Sequence, residues 1–229
     1  MKILDKVESE NVRNYAFRTI LDNIVTLELP PGSAVSENEL SDSLHISRTP
    51  VREALLEMRR LELVESFPQK GSYVTKIDYK LIDDASFIRM SLEVSLVRYA
   101  CRTGISERYL KQIRENLVQQ KQYEQSDSSH FAMLELDNAF HRLLFESVQK
   151  LQVYEFMQMQ MVHFDRLRNL EFLLLKRAKN KRTIADHENL LYAIEKQDEE
   201  LAEMVMKRHL SRHVGEKEEL TRLCPEYFK

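Results

Sequence analysis

Residues 36–61 read SENELSDSLHISRTPVREALLEMRRL, two short helical patterns joined by a tight turn. Ser36 and Glu39 fit a capping box, in which each side chain satisfies an orphan backbone N–H at a helix start. Leu40 and Leu44 lie one turn apart on the inner side of this first helix. His45-Ile46-Ser47 form the turn. Thr49-Pro50 supplies a cap followed by proline in the first turn of the second helix, where its missing N–H is harmless. Val51, Leu55, Met58 and Leu61 then make one apolar stripe, and Arg48, Arg52, Arg59 and Arg60 lie off it. The stripe seats the helix, leaving the arginines for phosphates or guanine edges. This is the layout of a helix-turn-helix that presents Arg48, Thr49 and Arg52 at the start of a recognition helix.

Upstream, Ile20, Leu21, Ile24 and Leu27 recur at helical spacing, and Pro30-Pro31-Gly32 ends that helix. Downstream, residues 63–67 and 72–75 are two β-prone runs flanking Pro68-Gln69-Lys70-Gly71, which predicts a hairpin. A hairpin after a recognition helix is a wing. Its tip carries the cation Lys70 and the side-chain-free Gly71, so backbone can approach DNA closely. An arginine-rich helix alone is commonly an ordinary solvated face; the wing argues for DNA. Residues 1–77 form this head and residues 78–229 a second domain.

The length of 229 residues suits two small domains. Four glycines, five prolines and 31% charged residues favour a largely helical chain. The net charge of −3 requires a DNA binder to cluster its positive charge, because phosphate contacts dominate affinity; Arg48, Arg52, Arg59, Arg60 and Lys70 supply such a cluster. No apolar run approaches the roughly 20 residues that span a membrane. Lys2, Asp5, Lys6 and Glu8 break up the start, so no secretory signal is read there. Cys101 and Cys224 have no metal-type spacing, and two ordinary thiols fit a reduced, cytoplasmic location.

Beyond residue 78 the pattern is helical throughout, with helices predicted near 79–103, 107–124, 128–148, 151–175, 181–196 and 198–218. Breaks fall at Thr103-Gly104, Ser126-Asp127-Ser128-Ser129 and Lys179-Asn180-Lys181. Short connections favour antiparallel neighbours, so the fold is mainly α: a winged helix-turn-helix plus an antiparallel all-helical bundle. Asp137 and His141 fill the missing steps of the stripe Leu134, Leu144, Phe145 and Val148, four residues apart on one face. His187 lies with Ile184, Leu191 and Ile194, and His209 with Ala202, Val205 and Met206. Unpaired burial of such groups costs at least several kcal/mol, on the order of 2–7 for a neutral polar group. They therefore need hydrogen bonds or a metal. Three imidazoles and a carboxylate suit zinc, nickel or manganese better than magnesium or calcium. A single buried histidine is more often a hydrogen-bonded core residue; four such residues on core stripes favour the metal.

Ser47-Arg48-Thr49-Pro50-Val51-Arg52-Glu53-Ala54-Leu55 resembles the signature of the GntR family of bacterial transcription regulators, and the likeness runs from Pro30-Pro31-Gly32 through the Lys70-Gly71-Ser72-Tyr73-Val74 wing. The resemblance implies operator contacts from Ser47, Arg48, Thr49 and Arg52, with Lys70 beside a wing-tip Gly71 that enters the minor groove. Many members carry Glu-Arg-Glu-Leu where this chain has Glu37-Asn38-Glu39-Leu40. Asn38 can still donate to a phosphate or base, without the charge.

The second domain is similar to the FCD effector domain of FadR-type members. Leu136-Asp137-Asn138-Ala139-Phe140-His141, Asp186-His187-Glu188-Asn189-Leu190-Leu191-Tyr192-Ala193-Ile194 and Met204-Val205-Met206-Lys207-Arg208-His209-Leu210 match its three motifs. The resemblance implies a divalent metal, zinc first, on Asp137, His141, His187 and His209, with open positions for a small carboxylate effector or water. Arg89, in Phe87-Ile88-Arg89-Met90-Ser91-Leu92-Glu93, matches the arginine that holds the effector. Arg166 and Arg168 are weaker candidates, more simply read as structural ion pairs. His45, His130 and His163 receive no role; His213 follows His209 by four residues and could support it from behind.

The expected function is a metabolite-responsive regulator, a repressor, acting as a homodimer on a near-palindromic DNA operator, with no membrane partner and no catalysis. Effector in the bundle would change operator affinity through a coupling free energy. A metal-dependent enzyme on the bundle is the alternative, since a metal held by three histidines and a carboxylate can activate water. The chain lacks His-Glu-x-x-His, Glu-x-x-His, a Gly-rich phosphate loop and Gly-x-Ser-x-Gly, and an enzyme would leave the winged head unexplained. A purely architectural DNA binder would leave the Asp/His set without purpose.

Overall fold

The computed structural model describes residues 1–125, 130–175 and 178–229. They divide into two compact units, one of Met1–Leu81, Val162–Leu170 and Glu219–Lys229, the other of Ile82–Met161 and Glu171–Glu218. In the first unit, α1 (Val12–Val25), α2 (Glu37–Leu44) and α3 (Arg48–Arg60) precede a small sheet. The Ser36 hydroxyl caps α2 by accepting from the Glu39 N–H at 3.5 Å. The turn is pinned from both sides. His45 adopts a left-handed φ of 54°, the Ile46 N–H reaches the Ser41 carbonyl at 3.2 Å, and the Ser41 hydroxyl donates to the Ile46 carbonyl at 2.6 Å. Val51, Ala54, Leu55 and Met58 bury the inner face of α3 against the residues of α1 and α2.

Three details differ from the sequence reading. Ser47, not Thr49, is the N-cap of α3, so Pro50 still falls in the first turn. The first helix ends at Val25 with Thr26 as its cap and Leu27 at φ 66°, before Pro30-Pro31-Gly32 is reached. The hairpin of β2 (Val64–Phe67) and β3 (Gly71–Val74) gains a third strand, β1 (Ala34–Val35), in the order β1-β3-β2, all antiparallel. Pairing of Phe67 with Gly71 closes the wing, and Gly71 at φ 96° occupies a conformation that favours glycine.

The first unit also takes in the start of α8 (Val162–Leu174). Arg166 is fully buried there and donates to the backbone carbonyl and hydroxyl of Thr75. His163 Nε2 lies 2.8 Å from the Leu61 carbonyl. The last residues form a parallel bridge to Ile77, with Tyr79 stacked on Phe228 at 5.1 Å. Arg166 is therefore structural, and Arg168 donates to Asp165 one helical turn away.

The second unit is all-helical: α4 (Tyr79–Thr103), α5 (Glu107–Gln125), α6 (His130–Ser147), α7 (Leu151–Gln158), α9 (Ala178–Glu195) and α10 (Glu199–Leu210). Helix α5 packs on α6 and α9, and α9 on α10. The predicted 151–175 helix is two, α7 and α8; buried Met157, Met161 and Phe164 continue one apolar spacing across the break, so periodicity does not mark it. Lys179-Asn180-Lys181 lies inside α9 rather than at a break. The predicted 198–218 helix ends at Leu210, followed by a 3-10 turn at Arg212–Glu216 and α11 (Lys217–Leu223). The Ser126–Ser129 break and the side chains of His130 and His213 lie outside the described part. Among the described residues no helix is long and apolar enough to cross a membrane.

Candidate metal centre and nucleic-acid interface

The structure leaves Asn38, Ser47, Arg48, Thr49, Arg52, Lys70 and Gly71 all exposed. Arg48 is 3.6 Å from Glu37, with two thirds of its side chain still accessible. The remaining cations of the sequence cluster are engaged. Arg59 donates to the Ser66 hydroxyl at 3.0 Å, and Ser66 lies 2.7 Å from the Ser72 hydroxyl, so Arg59 braces the wing against the recognition helix. Arg60 pairs with Glu57.

Asp137, His141, His187 and His209 converge within the second unit. One donor atom from each lies within 4.8 Å of all the others, and no side chain of the four is more than 9% exposed. Helix α6 supplies the first two at one-turn spacing, α9 the third and α10 the fourth. His141 Nε2 and His209 Nε2 are 3.1 Å apart. His187 Nε2 lies 3.4 Å from Asp137 Oδ1 and has no hydrogen-bond partner.

Each ring has a polar side chain behind its Nδ1. His141 Nδ1 abuts Glu93, which also accepts from Arg89 Nε at 2.6 Å. His187 Nδ1 is 2.9 Å from Gln120 Oε1. His209 Nδ1 is 3.6 Å from Asp186, which Arg208 and Arg212 also grip. Such outer partners orient imidazole ligands and fix their tautomer. Glu93, Gln120, Asp186, Arg208 and Arg212 had no role in the sequence reading. The signals available were Glu93 one turn after Arg89, Asp186 adjoining His187, and a polar residue, Gln120, on the inner face of α5.

The donor set fits a metal. Nε2 of His141 lies beside Nε2 of His209 and Nε2 of His187 beside the Asp137 carboxylate, and the His187 nitrogen is buried without a partner. Rings with protons on Nδ1 would also set two lone pairs opposite each other, an arrangement that a cation relieves. Burial pushes the Glu93 carboxyl up, but Arg89 and His141 outweigh it and hold it at about 2. Burial, then the neighbouring His209, drives the His187 imidazole well below its ordinary value, and burial lowers His209 too.

Both histidines titrate lower folded than unfolded, so below the unfolded value of about 6.5 the unfolded chain binds more protons and stability falls with pH. Their contribution is complete above that pH. Chelator-treated protein is expected to lose stability as pH falls below that value, with a slope of at most about 1.4 kcal/mol per histidine per pH unit. Urea unfolding between pH 7 and 5.5 checks this, with His187→Gln flattening the profile; a flat wild-type profile would contradict it.

A winged helix-turn-helix joined to an all-helical domain with a buried interior donor set is the build of a bacterial transcription regulator. Residues 14–74 match the family described as bacterial regulatory proteins, gntR family, and residues 84–212 match the FCD domain. An uncharacterized HTH-type transcriptional regulator in an unstable DNA locus of Streptomyces ambofaciens is 33% identical, covering 90% of this chain and 84% of that relative. The HTH-type transcriptional repressor RspR of Escherichia coli is 30% identical, covering 88% and 87%. The solved structure of E. coli McbR/YncC shares the fold at a TM-score of 0.75 and 18% identity, covering 93% of this chain and 99% of that one. The chain belongs to the GntR family, with an FCD domain after its winged head, and is a DNA-binding transcriptional regulator.

Proposed function

We propose that the protein is a metal-dependent, metabolite-responsive repressor, with one divalent ion held by Asp137, His141, His187 and His209. The convergence of these four donors, each ring backed by its own polar partner, carries the reading. Imidazole-rich donors favour zinc, with nickel or manganese next. When bound, the metal supplies a Lewis-acidic position for an anion. Arg89, buried on α4 and paired with Glu93, is the side chain we assign to hold a small carboxylate. Repression is proposed by analogy with the E. coli relative RspR, which is named a repressor. Residues 1–77 act as the DNA-binding domain and residues 78–229 as the metal and effector domain, in a homodimer whose symmetry matches two operator half-sites. Operator contacts come from Asn38, Ser47, Arg48, Thr49, Arg52, Lys70 and Gly71.

Elemental analysis of protein purified without chelator is expected to find about one metal per chain, lost in Asp137→Ala/His141→Ala; absence of metal in the wild type would remove the site. On the head, Arg52→Ala is expected to weaken operator binding by about 1–3 kcal/mol, the worth of one good base contact. An unchanged binding isotherm would take Arg52 out of the interface.

A further inference from the structure

His187 can offer Nε2 to a metal only if its ring proton sits on Nδ1. The second unit contains a chain of amides whose polarity determines that position. The backbone carbonyl of Leu136, one residue before Asp137, can only accept. Asn116 Nδ2 donates to it at 3.0 Å, which turns Asn116 Oδ1 the other way as an acceptor. Gln120 Nε2 donates to that oxygen at 2.6 Å, so Gln120 Oε1 is also an acceptor. It lies 2.9 Å from His187 Nδ1, where only an N–H completes the bond. Reversing any link would set two N–H groups or two oxygens against each other. Gln120 and His187 are fully buried and Asn116 is 6% exposed, so solvent offers little substitute partner for a broken link.

We propose that Asn116 and Gln120 are positioning residues that set the tautomer of His187 for metal coordination, an inference that rests on the metal reading above. The relay begins beside one ligand, Asp137 on α6, crosses α5, and ends at another, His187 on α9. Phe140 completes the seat by stacking on the His187 ring at 3.8 Å between centroids and 12° between planes. His141 and His209 are backed differently, by the carboxylates of Glu93 and Asp186. The amide relay does the same work for the most buried of the three rings without adding a charge.

The test reads the tautomer directly. Long-range proton–nitrogen spectra of histidine-labelled, metal-free protein are expected to show His187 protonated at Nδ1. In Gln120→Leu, which removes the acceptor at similar volume, the proton is expected to move to Nε2 and zinc affinity to fall by about 10–100-fold. Gln120→Glu, which keeps an oxygen facing the ring, is expected to recover most of that loss. Protonation of wild-type His187 at Nε2, or an unchanged zinc affinity in Gln120→Leu, would overturn the proposal. If the leucine variant does not fold, the wild-type spectrum still decides. Failure of the wild type to take up zinc would instead overturn the metal reading, and appears in the zinc titration alone.

Discussion

Glu93→Ala is expected to destabilise the protein by about 3–5 kcal/mol, the cost of removing one partner from a buried charge pair. Glu93 has no exposed surface and serves two groups at once. One oxygen accepts from Arg89 Nε at 2.6 Å, and the other abuts His141 Nδ1. Arg89 is itself only 7% exposed, so the alanine variant takes a carboxylate away from a guanidinium and an imidazole that have little access to water. Glu93→Gln keeps the volume and one acceptor while removing the charge, and is expected to lie between the alanine variant and wild type. Urea denaturation of the three proteins at pH 7 measures both steps. A Glu93→Ala loss below about 1 kcal/mol, the worth of one ordinary hydrogen bond, would show that Arg89 and His141 find other partners. The same variant is expected to bind zinc about 10–100-fold more weakly, since His141 loses the group that orients it.

The head was legible because its determinants are local. A capping serine, leucines one turn apart and a Pro/Gly turn between β-prone runs each act within a few residues. What the sequence did not disclose depends on distance. Strand β1 is two residues long, and its place comes from pairing Ala34 with Tyr73. The break between α7 and α8 carries no Gly or Pro to mark it, and that Val162–Leu170 belongs with the first unit depends on residues far away in the chain. Arg59 reads as a solvent-facing cation until its bond to Ser66 on the wing is seen.

The centre divides in the same way. Asp137, His141, His187 and His209 could be picked out because each interrupts an apolar stripe on its own helix. The groups behind them could not. Gln120 and His187 are 67 residues apart, and no periodicity connects a polar residue on α5 with a ring on α9. Convergence, which turns four polar interruptions into one site, is a property of helix packing.

Zinc at about a thousand times its dissociation constant is expected to stabilise the folded protein by about 4 kcal/mol, as for any ligand that binds only the native state. The geometry shows which nitrogens a metal would take up. His141 Nε2 and His209 Nε2 lie 3.1 Å apart, close enough for one ring to donate to the other, and His187 Nε2 is unsatisfied. Without a metal, a proton on one of those two Nε2 atoms completes their bond, and His187 Nε2 stays without a partner in a desolvated place. Coordination would occupy all three Nε2 atoms, and the unfolded chain, in which these residues are far apart, has no comparable site. Thermal unfolding with zinc and with chelator measures the difference. His187→Ala is expected to lose most of it and Asp137→Ala/His141→Ala all of it. Magnesium is expected to replace none of it, because it demands oxygen donors in octahedral geometry. Equal midpoints with zinc and with chelator in the wild type would mean that the four residues are a hydrogen-bonded core, and that the response to effector must be sought elsewhere in the bundle.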